Sequence, residues 1–388
     1  MDIKTRVGVK RFIRLAGACC RMTLNSRPAW FTVARMFGRW QRTLALLVAL
    51  PATAAAGQLP LPIDVYRSAV ATYVKTGNAA QSVEPLVGWS TAQLTAVVDA
   101  IVRHNDPVEL EAAALLHLEI GIAVVGLSVI AAQSHLEQGS RLIDTLLPPP
   151  DIRRGLSAVR IAEINRLRAT WHRVAASAFL SVNDVSHARP LVIRAQRIEP
   201  RSAATLTLAG TVDEIDAGLE NPDDIGQPSQ RTRAERTRGI LLFRAERSYT
   251  FALEADPSYA LARIRLGRIQ YLMKDLKRAR ESLERGAAAA TELRHQFIAA
   301  MFMGALQQSQ NDFAGARRSF ERALAIAPQS QNAVVALSFT ELMSGRTERA
   351  REIAQAFTSV PALDVWWAYK TGVLDLEGLH WLRQEIRR

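Results

Sequence analysis

Seven histidines, at positions 104, 117, 135, 172, 187, 295 and 380, are the side chains best suited to acid–base or metal chemistry, and their spacing assigns them to neither. No HExxH pair or other paired-ligand spacing occurs among them. The two cysteines, Cys19 and Cys20, adjoin each other near the start, so the rest of the chain has no thiol for a zinc site, disulfide or nucleophile. No GxSxG elbow, phosphate-cradling glycine loop or strand-linked GxGxxG is present. The expectation is a chain that is not an enzyme and has no catalytic residue, metal site or cofactor. The densest charged chemistry is an arginine cluster, Arg231, Arg233, Arg236, Arg238, Arg244 and Arg247, offset by Glu235 and Glu246. It could serve a nucleic acid or an acidic partner. It reads first as the solvated face of a long helix, because no aromatic residue interleaves its early part as nucleic-acid grooves require.

The overall charge of +12 favours a nucleic-acid reading only until it is located. Residues 1–56 hold ten lysines and arginines against Asp2, which leaves 39 bases and 36 acids, a net of +3, on the remainder. So small an excess attracts phosphate backbones weakly, and nucleic acid is not the expected partner. The basic leader has its own logic. Arg39 and Arg42 precede an apolar run from Thr43 to Leu50, Pro51 breaks it, and Ala52 to Ala56 are small. That order is a secretory signal over residues 36–56. The run is far shorter than the ~20 residues that span a bilayer, so no permanent membrane span is expected. The chain should be periplasmic or secreted and begin near Gly57, with residues 1–35 untranslated or dispensable.

Beyond the leader the residues that build elements are helical: alanine, leucine and arginine dominate and strand-like alternation is scarce. Asp64 to Gly77 carries Val65, Ala69, Tyr73 and Val74 on one stripe; Ser90 caps a helix to about Arg103; Asp106-Pro107 opens the next. Ala112 to Ala132 is apolar but interrupted by His117 and Glu119, and reads as one helix buried on all sides. Pro148-Pro149-Pro150 and Asn221 to Pro228 are the main breaks.

The most informative pattern is repetition. Small residues and a closing proline recur at Ala188, Ala195 and Pro200, at Ala245, Ala252 and Pro257, and at Ala316, Ala323 and Pro328, spaced seven then five. Gly267 and Gly304 each stand twelve residues before an alanine, Ala279 and Ala316; Leu283, Tyr249 and Phe320 fall four after the first alanine of their sets. This chain therefore resembles the tetratricopeptide repeat family. Windows fit at 169–202, 260–293, 297–330 and 331–364, with a lone second helix at 239–257. The family's first-helix tryptophan is missing from all four, and Thr291 stands where a closing proline belongs.

The resemblance implies an all-α fold of antiparallel helix pairs stacked into a right-handed α-solenoid. It divides the chain into a divergent helical region (57–147), a region with one pair and a half repeat (151–257), repeats (258–364) and C-terminal capping helices (365–388). Trp366, Trp367, Tyr369 and Trp381 would then cover the last apolar face. It also implies a scaffold that receives a protein or peptide partner in a concave groove lined by first helices. Mapped by helical spacing, that lining includes Arg173, Ile264, Arg268, Tyr271, Met301, Val335, Phe339 and Met343. The family's Lys/Asn clamp for a terminal carboxylate is not present.

Overall fold

Short polar residues decide where the helices begin. The computed structural model describes residues 63–77, 89–148, 155–219, 227–328, 330–356 and 374–385, with Ala79, Ser82 and Arg153 between them. The leader and its signal, Pro149 and Pro150, Asn221 to Asp224, and Trp366, Trp367 and Tyr369 lie outside the described residues. Those described form fifteen helices and no strand. The first eight are α1 (Ile63–Thr76), α2 (Thr91–His104), α3 (Pro107–Val124), α4 (Val129–Thr145), α5 (Ala158–Leu180), α6 (Val185–Ile198), α7 (Ala203–Leu219) and α8 (Pro228–Ala255). The rest are α9 (Ala260–Leu272), α10 (Leu276–Ala289), α11 (Leu293–Ser309), α12 (Phe313–Ile326), α13 (Gln331–Met343), α14 (Thr347–Ala356) and α15 (Leu376–Glu385). Ser90 and Gln93 close a reciprocal capping box at α2, and Asp106 caps α3 ahead of Pro107. Ser128, Ser157, Asp184, Asp275, Asp312 and Ser330 each accept the backbone N–H three residues on. Each such cap stabilises its helix by about 1 kcal/mol.

The helices pack as consecutive pairs: α3/α4, α5/α6, α7/α8, α9/α10, α11/α12 and α13/α14. The first members also touch one another in series, α3 to α5 through to α13, which is the stacking of a helix-pair solenoid. One turn recurs inside four pairs. Asn183, Lys274, Asn311 and Gly345 take the left-handed conformation, and the next residue's N–H reaches the carbonyl five back at 2.9–3.0 Å. That satisfies carbonyls that a helix end would otherwise leave unpaired. The helix crossings are also alike. A Cβ on Gly304 would lie 2.5 Å from the Phe320 ring, one on Gly267 2.8 Å from Leu283, and one on Gly210 2.7 Å from Tyr249. The small residue is needed because the facing side chain fills the space a methyl would take.

In the divergent region 57–147, α3 and α4 form a full pair, with α1 packed on α3 and α2 on α4. Three expectations are corrected. The apolar stretch Ala112–Ala132 is not one helix, because the chain turns at Val125 to Leu127 and Ser128 caps α4. The second helix at 239–257 is not alone. It belongs to α8, whose partner α7 carries Gly210 for Tyr249. Finally, α15 does not cover the last pair. It returns to the front of the array and packs on α5, with Leu379 and Leu382 inside the core built by α1 to α7. Two smaller cores continue from there, one over α7 to α9 and one over α9 to α13.

Candidate functional site

The inner face is built from the first helix of each pair. Arg173 of α5, Thr207 and Thr211 of α7, Arg265 of α9, and Arg294 and His295 of α11 line one cavity, with Tyr259 just before α9. Four successive first helices can share a cavity only if the array curves towards it. Three arginines face Asp375 and Glu377 across it. Burial pushes the His295 imidazole down to about 4, helped by the charges of Arg294 and Arg265. Burial lowers Arg294 as well, with Arg265 again adding to the effect. Behind this wall Glu214 of α7 is fully buried and accepts from the Tyr249 hydroxyl at 2.5 Å and from Arg265 at 3.1 Å, with Arg268 as a further ion-pair partner. That carboxylate therefore ties α7, α8 and α9 together beneath the groove.

The acid that answers the open arginines comes from the C-terminal segment. Arg173 Nε donates to Asp375 Oδ2 at 2.5 Å, and the other oxygen of Asp375 caps α15 by accepting the Gly378 N–H at 2.8 Å. Asp375 also donates its backbone N–H to Ser177 Oγ, and Arg294 donates to the Leu374 carbonyl at 3.0 Å. Leu379 and Leu382 point into the core, and Arg166 lies over the Trp381 ring at 4.6 Å. At the far end Arg383 makes a two-pronged bond, at 2.5 and 2.6 Å, to Glu119 of α3, which also accepts from the Tyr73 hydroxyl. The front of the groove is thus filled by a short amphipathic helix with an acidic cap.

The groove residues expected from spacing divide into three sets. Arg173 faces the groove and is engaged by Asp375, while Arg268 is half-buried on Glu214 with Phe302 beneath its guanidinium. Ile264 and Met301 do not line the groove but are buried in the core; Ile264 packs against Gly286. Val335 and Met343 are exposed on α13, with Phe339 half-buried between them, and Tyr271 is half-buried beside Lys274. Sequence reasoning missed Arg265, Arg294, His295 and Asp375. Arginine inside a helix has no spacing signature, and the segment holding Asp375 is distant in sequence. His104, Asp106 and Glu109 also converge, with donor atoms within 4.8 Å, but Glu109 is already held by Arg67 at 2.6 Å and a guanidinium there opposes a cation.

The tetratricopeptide repeat family matches residues 308–358, from the end of α11 through α14. No curated protein matches the chain. Among solved structures, the chain is similar to pilF of Pseudomonas aeruginosa, at 16% identity over 51% of this chain and 79% of that one, with a TM-score of 0.41. It is also similar to MamA, at 18% identity over 45% and 87% with a TM-score of 0.34, and to yeast Tom70, at 10% over 99% and 74% with a TM-score of 0.41.

Proposed function

We propose that this tetratricopeptide-type chain is a non-catalytic scaffold of the cell envelope that takes a helical segment of a protein partner on its inner face. One observation carries the reading: the groove already holds a helix, and the contacts define what it accepts. Asp375 supplies an acidic cap to Arg173, and leucines four and seven residues on enter the core. A partner helix with an acid at its N-cap and apolar residues at those offsets would meet the same donors. Charge-assisted caps of this kind both orient and hold a helix. The open stretch over α13, with Val335 and Met343 exposed, extends the surface for a longer partner. The near-neutral body supports a protein partner over nucleic acid, and the Arg39–Ala56 signal supports the envelope. No described helix is long and apolar enough to cross a membrane.

The test uses a labelled peptide of residues 374–388 added in trans to the full chain. Wild-type protein should bind it weakly because the site is filled in cis. Asp375→Lys places a cation against Arg173 and frees the groove, so peptide affinity should rise about tenfold, and Arg173→Glu should abolish binding. Failure of Asp375→Lys to gain binding, with only a lower melting temperature, would make α15 a structural part and reject the groove.

A further inference from the structure

The outer side of α8 carries a second surface, and it does not depend on the groove. At 28 residues α8 is far longer than its 17-residue partner α7, and it buries Leu241, Leu242, Ala245, Tyr249 and Ala252 on one face. Opposite that face, Arg233, Arg236, Ile240, Phe243, Arg247 and Phe251 follow one another at three- and four-residue steps, within roughly a 100° arc of the helix. Ile240 is 55% exposed, Phe243 58% and Phe251 40%. The Arg247 guanidinium rests 5.2 Å over the Phe251 ring. Arg233 and Arg236 have no acidic partner among the described residues, whereas neighbouring charges are matched: Arg231 with Glu235, Arg244 with Asp213, and Glu246 with Arg278. Ser229, Thr232, Thr250 and Glu254 are further exposed polar side chains on or beside the arc.

The feature demands explanation because its two halves oppose each other. A solvated face has no use for three large apolar side chains, and a phosphate-tracking face has no use for isoleucine. Alternation of arginine with phenylalanine and isoleucine along a convex line suits a layered medium, with anions outside and hydrocarbon beneath. The line from 233 to 251 is about 27 Å long. A lipid interface offers both chemistries along that whole length with no need for shape matching.

We propose that this face of α8 docks the protein on an anionic membrane surface. Arg233, Arg236 and Arg247 take lipid phosphates, and Ile240, Phe243 and Phe251 enter the boundary between headgroups and acyl chains. The helix lies in the interface plane and stays packed on α7 throughout, so binding requires no unfolding.

Full-length protein is sedimented with phosphatidylcholine vesicles that contain or lack phosphatidylglycerol. Binding should be about tenfold or more stronger with the anionic lipid and weaken as salt is raised. Reversing Arg233, Arg236 and Arg247 to Glu together should lower it by about a hundredfold. Ile240→Ser with Phe243→Ser leaves the charge unchanged and should still cut binding by about tenfold. All five positions are exposed, so neither variant should change the melting temperature, and any loss reports the surface itself. Equal binding of wild type and both variants would assign membrane contact elsewhere, the basic leader included, and overturn the proposal. So would full binding by the serine variant, or capture of RNA or polyglutamate through these arginines with no vesicle binding.

Discussion

His117 and Glu119 are the two polar side chains that interrupt the apolar stretch of α3, and each is explained by a partner far from it in sequence. Glu119 receives Arg383 from the C-terminal helix, while His117 Nδ1 lies 3.1 Å from Nδ1 of His135 on α4. One imidazole must donate and the other accept, so the two rings cannot both be protonated. Burial pushes His117 well below its ordinary value and His135 down to about 4. The native state therefore binds fewer protons than the unfolded chain between pH 6.5 and about 4. Stability from this pair is complete above pH 6.5 and is lost as pH falls through that window. His135→Gln should remove about 1–3 kcal/mol of the decline, read as a smaller difference between urea midpoints at neutral and mildly acid pH. An equal decline in both proteins would contradict the buried neutral pair. At this scale the sequence marked the positions as unusual but could not supply their partners. A lone histidine on an apolar face is uninformative until the second is brought to it.

Helix boundaries and crossings were far more legible, because caps and small residues act within one or two helices. Ser90, Asp106 and the Gly304–Phe320 and Gly267–Leu283 couples could all be read from spacing, since both couples lie sixteen residues apart. The equivalent Gly210–Tyr249 couple was hidden, because the longer connection into α8 breaks that interval. Groove and core were confused at Ile264 and Met301 for a related reason. Spacing says which residues share a face, not which way the face points, and α9 and α11 show almost no contrast between sides. The crossings predict opposite outcomes for one substitution at two helical glycines. Gly239→Ala on α8 meets open space and should stabilise by up to about 1 kcal/mol through helix propensity. Gly304→Ala drives a methyl into the buried Phe320 ring and should cost about 1–3 kcal/mol. Denaturation midpoints that shift in the same direction would contradict the assigned packing.

For the molecule as a whole, repetition revealed the architecture of the C-terminal half and of the α5/α6 pair, whereas the α3/α4 pair and the helices packed on it, which lack that spacing, emerged only from packing. The proposed envelope location makes a separate prediction. Mass spectrometry of the chain from its native host should find a terminus near Gly57, and an intact Met1 in the cytosolic fraction would reject export. The return of α15 also changes how the molecule must come together. A solenoid of nearest-neighbour pairs can form from one end while the rest is still being made, each pair settling on the last. Here the contacts of Asp375 and Arg383 bridge 202 and 264 residues of sequence. The front core has places for Leu379 and Leu382, yet these are made some two hundred residues after the helix they pack on. At roughly 5–20 residues per second the early pairs wait on the order of ten seconds or more with that seam open. The slow event in maturation is then the closing of one long loop rather than the folding of any repeat.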